Sequence, residues 1–258
     1  MALANAEQVR PRNAQSVFGR FFRAALNAGR LAFMLLWTAA CISAALVVLT
    51  LTRRPALALG MARRPWAPAL LRGAGARLEV ERAQELQPDT AYLFAANHQS
   101  LLDTPVLFAA LRLPLRFVVK RELGRLPFLG WYIAALGMVA VDRGSQTRAV
   151  ASLRRVTALL RSGASVVCFP EGTRSRDGAV APFKGALFAM AIEAGVPVVP
   201  VAVSGTGAVL PATGLRIRPG RVLVRVGRPI ATGDLTAARR GELARRVHDE
   251  VVRLAAGA

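Results

Sequence analysis

The sequence predicts an α/β fold, a central mostly parallel sheet flanked by helices, preceded by an N-terminal membrane-associated helical segment. Three observations carry that expectation. From Leu78 onward, short apolar runs alternate with longer amphipathic ones, the pattern left by repeated strand–helix–strand units. Polar clusters follow several of the short runs, where a parallel sheet gathers its ligands. Ahead of Leu78, the stretch from Leu31 to Thr52 carries no charge.

Taken in order, residues 1–30 form a basic N-terminal segment with Arg10, Arg12, Arg20, Arg23 and Arg30. As a helix the charge-free run would extend about 33 Å, close to the thickness of the hydrocarbon layer. It is too long and starts too late for a signal peptide. Arg53, Arg54, Arg63, Arg64 and Arg72 follow, so both flanks are positive and the positive-inside rule sets no orientation. Ala56 to Leu71 is a second apolar segment, interrupted by prolines. Either one helix crosses the bilayer, or the two segments form a hairpin that dips into one leaflet. Residues 31–73 are assigned to that membrane-embedded helix or helical hairpin, and 78–258 to one folded domain.

Within that domain, strands are predicted at 78–81, 91–96, 115–119, 138–142, 165–169, 198–203 and 221–226. Helices are predicted at 101–111, 128–136, 146–161, 184–194 and 236–255. Leu153, Val156, Leu159 and Leu160 place an apolar stripe on the third of these helices, and Leu243, Val247, Val251 and Leu254 one on the last. His248 falls among solvated charges on that last helix.

Composition narrows the partners. The chain of 258 residues has 35 basic and 15 acidic side chains, a net charge of +20. Lys120 and Lys184 are its only lysines. The arginine fork matches phosphate and carboxylate, so an anionic partner is expected; membrane lipid, nucleic acid and an acidic carrier would each satisfy it. An apolar content of 53% argues against a simple nucleic-acid binder, and anionic membrane lipid is the expected partner, with no nucleic acid. Cys41 and Cys168 cannot build a disulfide framework, and the scattered histidines and cysteines offer no zinc spacing. No metal or cofactor is expected.

Two stretches carry chemistry. In Asn97-His98-Gln99-Ser100-Leu101-Leu102-Asp103, residues five apart on one helix would sit about 140° apart around the axis. His98 and Asp103 can meet only with His98 in a loop and Asp103 in the first helical turn. Asp103 would then fix the imidazole tautomer and leave the other nitrogen free to take a proton. The same residues also read as a plain helix start, with Ser100 as N-cap and Asp103 near the positive end of the dipole. The second stretch runs from Phe169 to Arg176. Its Pro170 and Gly172 turn the chain, exposing backbone N–H groups beside Thr173, Arg174, Ser175 and Arg176, which suits a phosphate; a solvated polar turn is the plainer alternative.

These stretches, with two others, resemble the glycerolipid acyltransferases, membrane enzymes that move a fatty acyl group onto glycerol-3-phosphate or lysophosphatidic acid. Asn97-His98 through Asp103 resembles their first motif. Gly137 to Arg143 resembles the second, with Ala140-Val141 in place of a more usual aromatic–aliphatic pair. Phe169 to Ser175 resembles the third, and Val196 to Val201 the fourth. Pro182-Phe183-Lys184-Gly185 is also similar. The likeness covers roughly 78–230, with the motifs in the family's order.

The resemblance implies that His98 is the general base, that Asp103 orients it, and that Asn97, Arg143, Glu171, Gly172, Thr173, Arg174 and Lys184 shape the substrate site. It implies an acyl thioester donor, acyl-CoA or acyl carrier protein, and 1-acylglycerol-3-phosphate as acceptor. Lyso-ornithine lipid, glycerol-3-phosphate and other lysophospholipids are alternative acceptors, and a non-catalytic basic membrane-binding module is the alternative outside catalysis. The expected location is the membrane, at the cytoplasmic face of the cell inner membrane. The residue types suit such a transfer, which needs a base and oxyanion donors but no covalent enzyme intermediate. No Gly-x-Ser-x-Gly elbow, Gly-x-Gly-x-x-Gly or P-loop pattern occurs.

Overall fold

The computed structural model describes residues 17–87, 89–142 and 146–257. Seven strands form one sheet in the order β1-β7-β6-β2-β5-β3-β4. They are β1 (Ala76–Arg82), β2 (Leu93–Ala96), β3 (Arg116–Lys120), β4 (Val139–Val141), β5 (Val166–Cys168), β6 (Val198–Ser204) and β7 (Gly220–Val226). All neighbours pair parallel except β6 with β7. Each predicted strand is present within two residues of its expected limits.

Helices cover both faces, which is why the inner strands are apolar throughout rather than alternating. Phe94 and Ala96 of β2 point into a core with α4 (Asp103–Leu111) and α5 (Leu129–Ala135). Leu93 and Ala95 point the other way, toward α6 (Gln146–Arg161), α7 (Ala186–Ala194) and α9 (Arg240–Ala256). The edge strand β1 does alternate, and its outward Glu79 and Glu81 pair with Arg221 and Arg225 of β7.

The N-terminal helices join the same body. α1 (Val17–Thr52) is the one helix among the described residues long and apolar enough to cross a bilayer. Arg53 turns the chain with φ of 52°, and α2 (Pro55–Met61), a π-helical turn at Ala62–Trp66 and α3 (Ala67–Ala74) follow. The π turn accommodates Pro65, which has no N–H for an α-helical bond. Ala58, Leu59, Ala62, Ala67, Leu71 and Ala74 are buried in the core shared with α4, so the second apolar segment of the sequence packs on the α/β body. α1 is fastened along its length: Asn27 bonds Leu215 O and Ile217 N, the Trp37 indole reaches Pro65 O, and the Trp66 indole reaches Thr38. Its other face leaves Leu35, Leu36, Val47 and Leu51 exposed. Residues 1–16 of the basic N-terminal segment, with Arg10 and Arg12, lie outside the described residues.

Between β6 and α8 (Thr206–Val209) the chain turns at Gly205, whose φ is 86°. A Cβ there would lie 2.2 Å from Arg221 O on β7. Gly205→Ala is expected to cost about 1–3 kcal/mol from the backbone conformation alone, and the clash adds to that. The midpoint of urea unfolding measures it; an unchanged midpoint would mean that the β6–β7 connection moves aside freely.

Candidate active site

The carboxyl ends of β2 and β5 lie side by side at the middle of the sheet, and the two chemistry-bearing stretches leave from them. His98 follows β2 and is held from four directions. Its N–H donates to Glu171 Oε1 at 2.7 Å, and its carbonyl accepts from Ser175 N at 2.7 Å. Its ring stacks on Phe169, with centroids 4.0 Å apart and planes within 14°. Its Nδ1 lies 2.7 Å from Asp103 Oδ2.

Asp103 is the first residue of α4 and is fully buried. The same Oδ2 accepts the N–H groups of Gln99 at 2.7 Å and Ser100 at 2.8 Å. One carboxylate therefore closes the turn before the helix and engages the imidazole. An ionised carboxyl only accepts, so Nδ1 carries the proton and Nε2 is left as the basic atom. Ser100 does not cap the helix. Its hydroxyl donates to Leu210 O at 2.6 Å and accepts from Leu102 N, pinning the turn to the loop after α8.

His98 opens onto a groove of about 780 Å³ with two kinds of lining. Thr173, Arg174, Lys184 and Lys120 give it donors and positive charge. Leu101, Phe117, Leu123, Val141, Leu153 and Leu187 give it apolar wall. Such a groove can hold an anionic headgroup and a hydrocarbon chain at once, with a base between them.

Of the residues singled out from sequence, His98, Gly172, Thr173, Arg174 and Lys184 line this groove, while Asn97, Asp103 and Glu171 stand behind it. Arg143 lies outside the described residues. Asn97 is buried, donating to Val203 O at 2.9 Å and accepting from Val203 N at 2.7 Å. It extends the β2–β6 ladder by one side chain and is turned away from the groove. Glu171, also buried, spans two loops, accepting His98 N through Oε1 and Ala181 N at 3.0 Å through Oε2. Burial raises its pKa above the ordinary glutamate value, and the backbone bonds from Ala181 and His98 pull it part of the way back.

Sequence reasoning missed two residues. Phe169 was read as part of a motif, yet its ring fixes the plane of the imidazole. Lys120, at the end of β3, faces the groove opposite the Phe169–Arg174 turn. A signal for it existed: in a chain of arginines, both lysines line this one groove.

The family model described as Acyltransferase matches residues 77–204. The chain is 40% identical over 144 residues to the chloroplastic 1-acyl-sn-glycerol-3-phosphate acyltransferase of Brassica napus, covering 55% of this chain and 41% of that protein. It is 37% identical over 155 residues to the 1-acyl-sn-glycerol-3-phosphate acyltransferase of Pseudomonas aeruginosa, covering 60% of this chain and 59% of the relative. The chain thus spans about half the length of the curated relatives it matches. The crystal structure of the 1-acyl-sn-glycerophosphate (LPA) acyltransferase from Thermotoga maritima superposes with a TM-score of 0.74 at 26% identity, covering 90% of this chain and 97% of that one.

The raised pKa of Glu171 has a stability consequence. A carboxyl whose folded pKa lies above its unfolded value stabilises most below the unfolded value, about 4.3 for glutamate, and loses that contribution as pH rises through the folded one. Wild type should therefore lose stability relative to Glu171→Gln as pH climbs out of the ordinary glutamate range. Urea midpoints of both proteins across pH measure this, and parallel curves would contradict it.

Proposed function

Because the chain belongs to the glycerolipid acyltransferase family, we propose that it transfers a fatty acyl group from an acyl thioester to the free hydroxyl of 1-acylglycerol-3-phosphate, giving phosphatidic acid. The observation that carries this reading is the His98 Nδ1–Asp103 Oδ2 contact of 2.7 Å at the wall of a groove that is both cationic and apolar.

In this mechanism the acceptor phosphate sits against Arg174 and Lys184, with Lys120 nearby, and its acyl chain follows the apolar wall. Nε2 of His98 takes the proton of the glycerol hydroxyl as its oxygen attacks the thioester carbonyl carbon. The imidazolium formed is steadied by the buried carboxylate of Asp103. When the tetrahedral intermediate collapses, the carbon–sulfur bond breaks and the thiolate recovers the proton from His98. Glu171 and Phe169 act earlier, by fixing the backbone and the ring plane of His98. Acyl-CoA and acyl carrier protein are both anionic donors that suit a chain of +20.

The fastening of α1 along the α/β body favours the hairpin arrangement, with the exposed apolar face of α1 in one leaflet and the groove at its surface, on the cytoplasmic side of the inner membrane.

Purified protein incubated with a labelled acyl thioester should acylate 1-acylglycerol-3-phosphate in preference to glycerol-3-phosphate and lyso-ornithine lipid; preference for either of the others reassigns the acceptor. His98→Ala should lower kcat about 10²–10⁴-fold, and Asp103→Asn should lower it by about 10²-fold. Arg174→Ala should chiefly raise KM for the acceptor. A His98→Ala protein with full biological activity would favour a non-catalytic membrane-binding module.

A further inference from the structure

Residues 121–131, running from the end of β3 into the first turn of α5, hold large apolar side chains out in solvent. A 3-10 turn at Arg121–Arg125 leads into Leu126, Pro127 and Phe128. Leu129 N–H donates to Pro127 O at 2.6 Å across Phe128, whose φ of 60° and ψ of −57° make a γ-turn of the rarer, strained hand. Positive φ is unfavourable for a bulky side chain. The turn closes tightly behind this tip: Gly130 N–H donates to Leu126 O at 2.8 Å, and a Cβ on Gly130 would lie 2.2 Å from Gly124 O. Leu126, Phe128 and Trp131 remain 49%, 51% and 60% exposed, and the last two rings meet each other, with centroids 5.2 Å apart.

The strain at Phe128 is not offset by interior packing of its ring, which points to a use for the exposed tip. Its surroundings identify the partner. Lys120, Arg121 and Arg125 flank it; Glu122 pairs with Lys120 and Asp142 with Arg121, so the collar keeps a net positive charge carried by Arg125. The inner face of α5, with Ile133 buried, packs on α1. An aromatic tip with a basic collar, continuous with an apolar helix, suits a lipid headgroup–acyl boundary. Leu123 of the same segment lines the groove.

We propose that residues 121–131 form a second lipid-contacting element, distinct from α1, that seats Leu126, Phe128 and Trp131 in an anionic bilayer and sets the mouth of the groove against the leaflet. Insertion itself stands apart from catalysis; its effect on turnover rests on the acyltransferase reading above. Two measurements separate them. The first uses the full chain with Phe128→Cys carrying a nitrobenzoxadiazole dye, since the native Cys41 and Cys168 are buried. On addition of phosphatidylethanolamine–phosphatidylglycerol vesicles, dye emission should shift to the blue and rise, while dye at Asp234→Cys, in the loop before α9, should not respond. Unchanged emission at position 128 overturns the proposal whether or not the protein is an active acyltransferase. The second uses Phe128→Gly, which removes the ring and relieves the positive φ, so folding is not compromised. Turnover of acceptor presented in vesicles should fall about tenfold, with less than about twofold change for a monomeric short-chain acceptor. Equal losses on both, or no loss on either, would overturn it.

Discussion

One carboxylate oxygen organises the site. Oδ2 of Asp103 receives two backbone N–H groups and the imidazole N–H, on a side chain that is itself fully buried. Hydrogen bonds to a charged acceptor are the strong ones, more so in a low-dielectric interior. The turn from β2 into α4 and the orientation of the His98 ring are therefore one arrangement and cannot be altered separately. The five-residue spacing, awkward on a helix, follows from this: the loop has to fold back over the first turn for its N–H groups and the ring to reach one atom.

Around that point the loops brace one another. Glu171 joins the His98 loop to the segment at Ala181, Ser175 N–H returns to the His98 carbonyl, and Ser100 ties the turn to Leu210. The His98–Glu171, His98–Ser175 and Ser100–Leu210 bonds cross between segments that leave different strands, and the Ala181 bond folds the segment after β5 back on itself. The sheet brings the strand ends together, and these crossings convert proximity into fixed geometry, as the proposed acyl transfer, which depends on positioning, requires. The glutamate occupies the buried crossing because one carboxylate can accept from two backbone donors on different segments.

The helices before the sheet are part of the same body. Ala58, Leu59 and Leu71 complete the core over α4, so the helices before the sheet and the loops around His98 share one packed body. The fork of Arg174 in the groove can meet phosphate without lysine's strongly hydrated ammonium, and both lysines line the same groove.

What the sequence could convey depended on whether the information was local. Strand and helix positions were legible because burial on both faces or on one leaves a periodic trace, and the His98–Asp103 pairing was legible because the spacing admits one geometry. Asn97 shows the opposite case: the resemblance groups it with the substrate-site residues, while its amide turns to Val203 on β6, 106 positions away, a pairing that no local pattern encodes. Lys120 lay beyond any motif considered, since only the side-by-side order of β5 and β3 brings it to the Phe169–Arg174 turn. Phe128 is the least legible of all. Nothing in the run Leu126-Pro127-Phe128-Leu129 marks one side chain for solvent, and in a sequence 53% apolar the neutral expectation buries all of them. Its exposure is set by a single φ angle and by the absence of a Cβ on Gly130, two features of the backbone that composition and periodicity do not encode. The backbone at Phe128 is strained, and its ring, half exposed, has no core packing to offset that strain.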